Sequence, residues 1–310
     1  MPTRERLSPE VFRLPVERIR DGYYSDMYFN LTKELLEWDE RQPRVVMQAF
    51  QKRDSVLGGV DEAIAVLRQC AGRRGPGGEW VDGWPELEVR ALYEGDEIRP
   101  WEPVLTIEGD YTLFAHLETV YLGCMARRTL IMRNVKEVVE AAAGKPIWYF
   151  PARHDHWLVQ TGDGWDDLTV HALHEGDEIR PWEPVLTIEG DYSLFAHLET
   201  VYLGCMARRT LIMRNVTEVV EAAGGKPIWY FPARHDHWLV QTGDGWAAHV
   251  AGAIGVSTDA QASWWGGRGV GTVPHGLIAA YSGDTVRAAK AFADGYAATM
   301  NVTVLVDFEN

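Results

Sequence analysis

Four short stretches place cations, hydroxyls, an imidazole and carboxylates directly after apolar runs. Phe231 is followed by Pro-Ala-Arg234-His235-Asp236-His237, and Val256 by Ser257-Thr258-Asp259. Val273 precedes Pro274-His275, and Val306 precedes Asp307-Phe308-Glu309-Asn310. A guanidinium fork matches a carboxylate or a phosphate. Hydroxyls bond ligand oxygens, and an imidazole carries a proton near neutral pH. As a set these groups suit a phosphorylated sugar. Ordinary turn chemistry also puts polar residues after strands, so each stretch taken alone stays open.

Other patterns point less far. The His-Asp-His triplet at 154–156 and again at 235–237 puts two imidazoles on one strand face, as zinc would need. No third ligand follows at metal spacing, so no metal site is expected. Gly266-Gly-Arg-Gly-Val-Gly271 has the outline of a dinucleotide loop. It lacks the strand before it, the helix after it and the acid about 20 residues on, which leaves a small-residue loop that lets backbone approach a ligand. Cys70, Cys124 and Cys205 show no CxxC spacing and read as free thiols. A lone histidine is more often structural than catalytic; the position of His275 after Gly271-Thr-Val-Pro274 argues for chemistry.

These residues need elements to hold them, and the elements come in two copies. Residues 87–165 and 168–246 align without a gap at an offset of 81, differing at six pairs. The pairs are Glu88/Thr169, Arg90/His171, Tyr93/His174, Thr112/Ser193, Lys136/Thr217 and Ala143/Gly224. Solenoid units are shorter and diverge more, so the expected origin is a recent tandem duplication or an assembly or design artefact. In each copy Leu87-Glu-Val-Arg-Ala-Leu-Tyr93 alternates like a half-buried strand, and Pro103 to Gly109 reads as a second one. Leu113, Phe114, Leu117, Val120, Tyr121 and Cys124 recur at helical spacing. A second helix is expected over Val135 to Ala143, and a buried strand over Ile147 to Phe150. Beyond the second copy, strands are expected at 251–256, 270–273 and 302–306, and Asp284 can cap a helix carrying Val286, Ala289 and Phe292. Alternating strands and helices imply a parallel sheet, open or closed into a barrel, with its chemistry at the C-terminal strand ends.

Composition bounds the partners. The 310 residues allow two domains, and 46% hydrophobic with 24% charged residues is the balance of a globular protein. A net charge of −15 argues against a nucleic-acid partner, though not against a small phosphorylated ligand. No apolar run is long enough for a membrane span, and the charged N-terminus has no apolar core behind it. The expected compartment is the cytoplasm.

Five motifs in order then resemble those of nicotinate phosphoribosyltransferases. They are Asp21-Gly-Tyr-Tyr-Ser-Asp-Met-Tyr28, Phe231-Pro-Ala-Arg-His235, Gly255-Val-Ser-Thr-Asp259, Gly271-Thr-Val-Pro-His275 and Leu305-Val-Asp-Phe-Glu-Asn310. The resemblance implies an α/β protein: an N-terminal split α/β domain over 1–126, a first barrel-entry helix and strand over 127–167, repeated N-domain strands and helix over 168–207, and a partial, irregular α/β barrel of the type II phosphoribosyltransferase kind over 208–310. It implies transfer of the phosphoribosyl group of phosphoribosyl pyrophosphate to nicotinate, with magnesium accompanying the pyrophosphate, ATP hydrolysis coupled in many members, and a homodimer. By motif, Tyr28 would stack on the pyridine, and Arg234 would pair with phosphate or the nicotinate carboxylate. His235, Ser257, Thr258 and Thr272 would contact substrate. His275 would be the phosphorylated histidine, and Asp307 would contact the ribose. The family's later Arg-Leu-Asp motif and glycine-rich strand ends do not follow here, and Arg153 and Arg234 compete for one role. An impaired enzyme is therefore expected, with two alternatives: an inactive rearranged fragment, or a transferase acting on quinolinate or nicotinamide.

Overall fold

The computed structural model describes residues 5–143, 145, 147 and 168–308. Arg153, the first His-Asp-His triplet, most of the expected 147–150 strand, and Glu309 and Asn310 lie outside the described residues.

The chain is a mixed α/β protein with small, open sheets. In chain order its main elements are helix α1 (Met27–Trp38), strand β1 (Arg44–Phe50), helix α2 (Val60–Cys70), and strands β2 (Glu88–Ala91) and β3 (Pro103–Asp110). Helix α3 (Glu118–Ala141) follows. Next come strands β4 (Thr169–Ala172) and β5 (Leu186–Glu189), then helices α4 (Glu199–Ala222), α5 (Gln241–Val250), α6 (Asp259–Ala262), α7 (His275–Ala280) and α8 (Thr285–Tyr296). Contacts divide the chain into two compact units. One comprises 1–147, 231–241 and 256–310; the other comprises 148–230 and 242–255. These units cut across the boundaries expected at 126, 167 and 207.

In the first unit, β3 is the middle strand of an antiparallel sheet in the order β1-β3-β2. Met47 faces Ile107 and Ala49 faces Leu105 on one side, and Val89 faces Ile107 on the other. Being central, β3 buries Val104, Leu105 and Ile107, each at most 5% exposed. Against this sheet packs one contiguous core including Leu35 and Leu36 of α1, Val66 and Leu67 of α2, Leu117, Val120, Tyr121 and Cys124 at the start of α3, Leu277 and Ile278 of α7, and Phe292 of α8. Helix α8 begins where the sequence places its cap: the Asp284 carboxylate accepts the Arg287 N–H at 2.9 Å.

Helix α3 corrects one expectation. Two helices were expected between 113 and 143, but residues 111–117 form two short 3-10 turns and 118–141 form a single helix. No glycine or proline interrupts Met125 to Asn134, so nothing ends the helix there. The parallel strands expected at 270–273 and 302–306 are reduced, among the described residues, to a single bridge between Val273 and Val304. The strand expected at 251–256 is only Gly255–Val256. No closed barrel is present among the described residues. Short runs rich in glycine and polar residues provide too few ladder bonds to extend these strands.

The second unit holds the other copy except for its 231–241 turn, which belongs to the first. β4 and β5 pair in the register of β2 and β3, with Val170 opposite Ile188. Helix α4 packs Ile212, Val216 and Val220 against Ala248, Ala251 and Ala253. The Arg208 guanidinium forks onto Asp244 at 2.8 and 2.7 Å, both side chains buried. No described helix of either unit is long and apolar enough to cross a membrane.

Candidate functional site

The site lies in the first unit, where the turn carrying Arg234 meets the starts of α1 and α3. Gly123 on α3 makes this meeting possible: a Cβ there would stand 2.3 Å from the Asp236 carbonyl oxygen. Arg234 approaches Asp26 (Nε to Oδ2, 3.4 Å) and donates from its terminal nitrogen to Glu118 at 3.3 Å. Its guanidinium also sits 5.6 Å from the ring centres of both Tyr28 and Phe29. The acids are buried, with side chains 3% and 10% exposed, whereas Arg234 is 42% exposed. One cation thus reaches solvent from a base of two buried carboxylates.

Asp26 is held tightly. Its N–H donates to the Thr119 hydroxyl oxygen at 2.8 Å, that hydroxyl donates back to Oδ2 at 3.0 Å, and the Tyr28 hydroxyl donates to the same oxygen at 3.3 Å. Glu118 is less well served. Among the described residues its buried Oε2 has no hydrogen-bond partner of good geometry, nor has the buried Tyr111 hydroxyl. Burial pushes the Glu118 carboxyl up to about 7, and the Asp26 charge adds to this while Arg234 opposes it. Burial, then the Asp26 charge, raises the Tyr28 phenol well above its ordinary value, so Tyr28 is a neutral hydrogen-bond donor.

A cleft of about 340 Å³ opens beside Arg234 and His235. Its other walls are mainly apolar, including Leu57, Ile98, Val104, Leu122 and Met125. An apolar groove with a few polar groups at one edge is the usual form of a small-molecule site. Tyr28 does not line it; the buried ring stands behind Arg234, not in the opening.

Ser257 and Thr258 are fully buried, and their hydroxyls are engaged within the protein. The Ser257 hydroxyl donates to the Gln261 side chain at 3.2 Å. Thr258 caps α6, accepting the Gln261 N–H at 3.0 Å and donating to Gln241 at 2.9 Å. The Ser257 carbonyl accepts the Met27 N–H at 2.7 Å, which ties this turn to the start of α1. In this geometry the Ser257 carbonyl holds the start of α1, and both hydroxyls donate to side chains of the protein. Thr258→Ala is expected to lower stability by about 1–2 kcal/mol, the value of a cap plus the glutamine amide left unpaired. Urea unfolding reads this; an unchanged midpoint would remove the cap from the account.

His275 and Asp307 are brought together by the Val273–Val304 bridge, Nε2 to Oδ1 at 2.9 Å. Both are well exposed, at 53% and 71% of the side chain. The hydrogen bond from His275 holds the Asp307 carboxyl below its ordinary value. Thr272 is half-buried between them and Gly271, whose backbone lies on Tyr28: a Cβ on Gly271 would be 2.7 Å from the Tyr28 nitrogen. The next glycine along, Gly276, is equally confined, with the buried Tyr111 hydroxyl 2.2 Å from where its Cβ would be.

One further cluster escaped the motif reading. Glu62, Cys124 and His237 offer ligand atoms within 4.8 Å of one another, a set that can hold a metal ion. His237 and Glu62 are 3.0 Å apart, and Arg128 also pairs with Glu62, so both carboxylate oxygens already have partners. The sequence hinted at His237 through the His-Asp-His triplet, but its neighbours come from α2 and α3, and His235 goes to the cleft instead. The signal for Glu118 and Thr119 was a polar pair on the apolar face of a helical pattern; Asp26 lay inside the opening motif.

Comparison with known proteins bears on the same segments. Residues 26–129 and 166–210 match the family described as quinolinate phosphoribosyl transferase, N-terminal domain. The second match is the counterpart of 85–129 at the repeat offset. Nicotinate phosphoribosyltransferase pncB1 of Mycobacterium tuberculosis is 31% identical over 125 residues, 39% of this chain and 28% of that protein. Its pncB2 counterpart is 32% identical over 153 residues, 47% of this chain and 30% of that protein. The chain therefore spans less than a third of the length of these relatives. Among solved structures, nicotinate-nucleotide pyrophosphorylase from Pyrococcus furiosus aligns with a TM-score of 0.31 and 23% identity, over 96% of this chain and 53% of that one. The stretch that carries Asp26, Tyr28, Glu118 and Thr119 thus lies within the match to the quinolinate phosphoribosyl transferase N-terminal domain, whereas Arg234 lies outside both matched stretches, and part of the chain is similar in sequence to nicotinate phosphoribosyltransferases.

Proposed function

We propose that the Arg234 cleft binds the pyridine carboxylic acid of a phosphoribosyl transfer, with nicotinate as acceptor and phosphoribosyl pyrophosphate as donor. The observation that carries this reading is a half-exposed guanidinium, backed by Asp26 and Glu118, at the edge of an apolar groove. The groove takes the ring, and the guanidinium takes the carboxylate. In the transfer, the bond from C1′ to the pyrophosphate oxygen breaks, its electron pair leaves with pyrophosphate, and the ring nitrogen's lone pair forms the new bond to C1′. Positive charge grows on the ribose as this happens, so positioned polar groups matter more than a nucleophile. The reading extends to a homodimer, whose second copy would complete the ring's surroundings.

Quinolinate is a weaker fit. It carries a second carboxylate, and the side chains beside Arg234 are themselves acids. Magnesium would arrive with the pyrophosphate. Among the described residues the one cluster of potential ligands contains a thiol and an imidazole, whereas magnesium prefers oxygen, so no step is assigned to protein-bound metal.

The test is calorimetric binding of nicotinate, quinolinate and nicotinamide, followed by product formation with phosphoribosyl pyrophosphate. Nicotinate should bind, and nicotinamide, which lacks the carboxylate, should bind at least tenfold more weakly. Equal binding of the two would overturn the assignment of Arg234.

ATP coupling rests on His275. Its Nε2 faces Asp307, which favours the tautomer with the proton on Nε2 and leaves Nδ1 as the nucleophilic nitrogen. His275→Ala should abolish ATP stimulation of product formation while changing stability by no more than about 1 kcal/mol, because the ring is half-exposed. Stimulation that survives the substitution would exclude phosphorylation at this residue.

A further inference from the structure

The two copies divide between them the contacts that a single helix could make. Helix α3 buries Val120, Tyr121, Cys124 and Met125 against the first unit's core. Their counterparts on α4, namely Val201, Tyr202, Cys205 and Met206, are only half-buried. Helix α4 instead buries Gly204, Arg208 and Val216, a stripe at four-residue spacing, within its own unit. On α3 the matching Gly123 is buried too, but Arg127 is 27% exposed beside Asp236, and Val135, the counterpart of the buried Val216, is only half-buried. The hairpins differ in the same way. β3 is flanked by β1 and β2, whereas β5, identical to the core of β3, pairs among the described residues with β4 alone.

We infer that the hairpin and helix of the second copy exchange with those of the first in the N-terminal core, so that Glu199 and Thr200 can stand beside Arg234 and Asp26 where Glu118 and Thr119 stand here.

Three observations support exchange. First, five of the six differing pairs lie at positions of the first copy that are not buried, and the buried one, Thr112/Ser193, keeps its hydroxyl. The exchange gives up the stacking of Arg6 on Tyr93 and the ion pair of Lys136 with Glu97. It gains glycine at the helix end, where Ala143 holds φ at 48° and Gly224 holds it at 58°. Second, the chain can reach. With α4 in the place of α3, Gly204 would take the seat of Gly123 against the 233–236 turn. Helix α4 runs on for about 27 Å past that glycine, and the segment from Ala222 back to Ala233 can extend about 36 Å. Third, the two arrangements loop out segments of nearly equal length, and closure entropy changes only slowly with length. An intramolecular exchange also needs no second chain, so it is favoured over a swapped dimer at ordinary protein concentrations.

The cysteines report the arrangement directly. Cys124 is fully buried and Cys205 half-buried here, and exchange reverses them. Tryptic peptides carrying the two, 91–127 and 154–208, differ in length because His171 replaces Arg90, so mass spectrometry after pulsed thiol labelling separates them. Leu117 is fully buried; Leu117→Asp should drive the first copy out of the core. The full-length variant is expected to keep a cooperative thermal transition, with Cys205 labelling at least tenfold slower than in the unsubstituted chain and Cys124 becoming reactive. Leu117→Asp made together with Leu198→Asp is expected to lose the transition. A single variant that fails to fold, or that folds with Cys124 still protected, overturns the exchange. So does a double variant that keeps its transition.

Discussion

Arg234→Leu is expected to lower the unfolding free energy by about 2–3 kcal/mol and to abolish discrimination between nicotinate and nicotinamide. Removing one partner of a fully buried ion pair destabilises by about 3–5 kcal/mol, because the other charge stays buried without compensation. Arg234 is 42% exposed, so water already screens part of its attraction and the lower range applies. Asp26 keeps its bonds to Thr119 and Tyr28, but Glu118 loses the donor to Oε1 while Oε2 already lacks one of good geometry among the described residues. Glu118 then takes up a proton, which limits the loss. Lysine at 234 restores charge without the fork and should recover stability more than ligand discrimination. Urea unfolding beside calorimetry separates the two effects, and a variant that still rejects nicotinamide would move the carboxylate site elsewhere.

The second large effect is a pH dependence assigned to Glu118. Its folded value of about 7 lies above the ordinary 4.5, so between those values the folded protein holds a proton that the unfolded chain has released. Stability must fall as pH rises through this window and level off above it. The size is on the order of 3 kcal/mol across the window, from about 1.4 kcal/mol per unit. The groups facing Glu118 are Tyr28, Tyr111, Tyr121, Asp26 and Arg234; the three phenols are raised by burial and do not titrate in this range. Glu62 acts in the opposite sense and elsewhere. Its lowered value, held by His237 and Arg128 against burial, contributes stability that is lost only as pH falls below the ordinary 4.5. Glutamine at 118 removes the Glu118 contribution without changing shape. Glu199→Gln is made with it, so that either copy of the helix carries an amide. Between pH 5 and 8 the double variant should show a flatter stability profile than the unsubstituted chain. Parallel profiles would remove Glu118 from the account of the slope.

The sequence shows some of this plainly. Alternation marked β2 and β3, and the Asp284 cap marked α8, because each depends on neighbours within a few residues. The 118–141 helix was misread as two because periodicity weakened where its face leaves the core, although nothing in the chain breaks it. The expected barrel strands shrank for a different reason: a short apolar run does not state how many ladder bonds its partner will supply. In the site, Tyr28, Arg234, His275 and Asp307 were legible as motif residues, and the structure pairs the first two and the last two. Glu118 and Thr119 were not, and Asp26 stood in the opening motif with no role assigned to it, because their importance comes from burial beside one guanidinium contributed by a distant turn. Ser257 and Thr258 show the reverse case: side chains that the resemblance gives as ligand contacts are bonded here to Gln261 and Gln241, and Thr258 caps α6.

Gly276 carries a consequence for anyone trying to improve this protein by design. A glycine inside a helix is normally an easy target, since alanine restricts the unfolded chain and favours the helix by about 0.5–1 kcal/mol. At 276 the added methyl would meet the hydroxyl of Tyr111, a ring that is 1% exposed and has no room to withdraw. The helix would have to lift, and His275, one residue earlier, would lift with it, away from Asp307. A stabilising library scored by helix propensity would therefore favour a substitution whose overpacking, about 1–3 kcal/mol, outweighs its gain, and a thermal melt of that variant would show the loss that the propensity score hides.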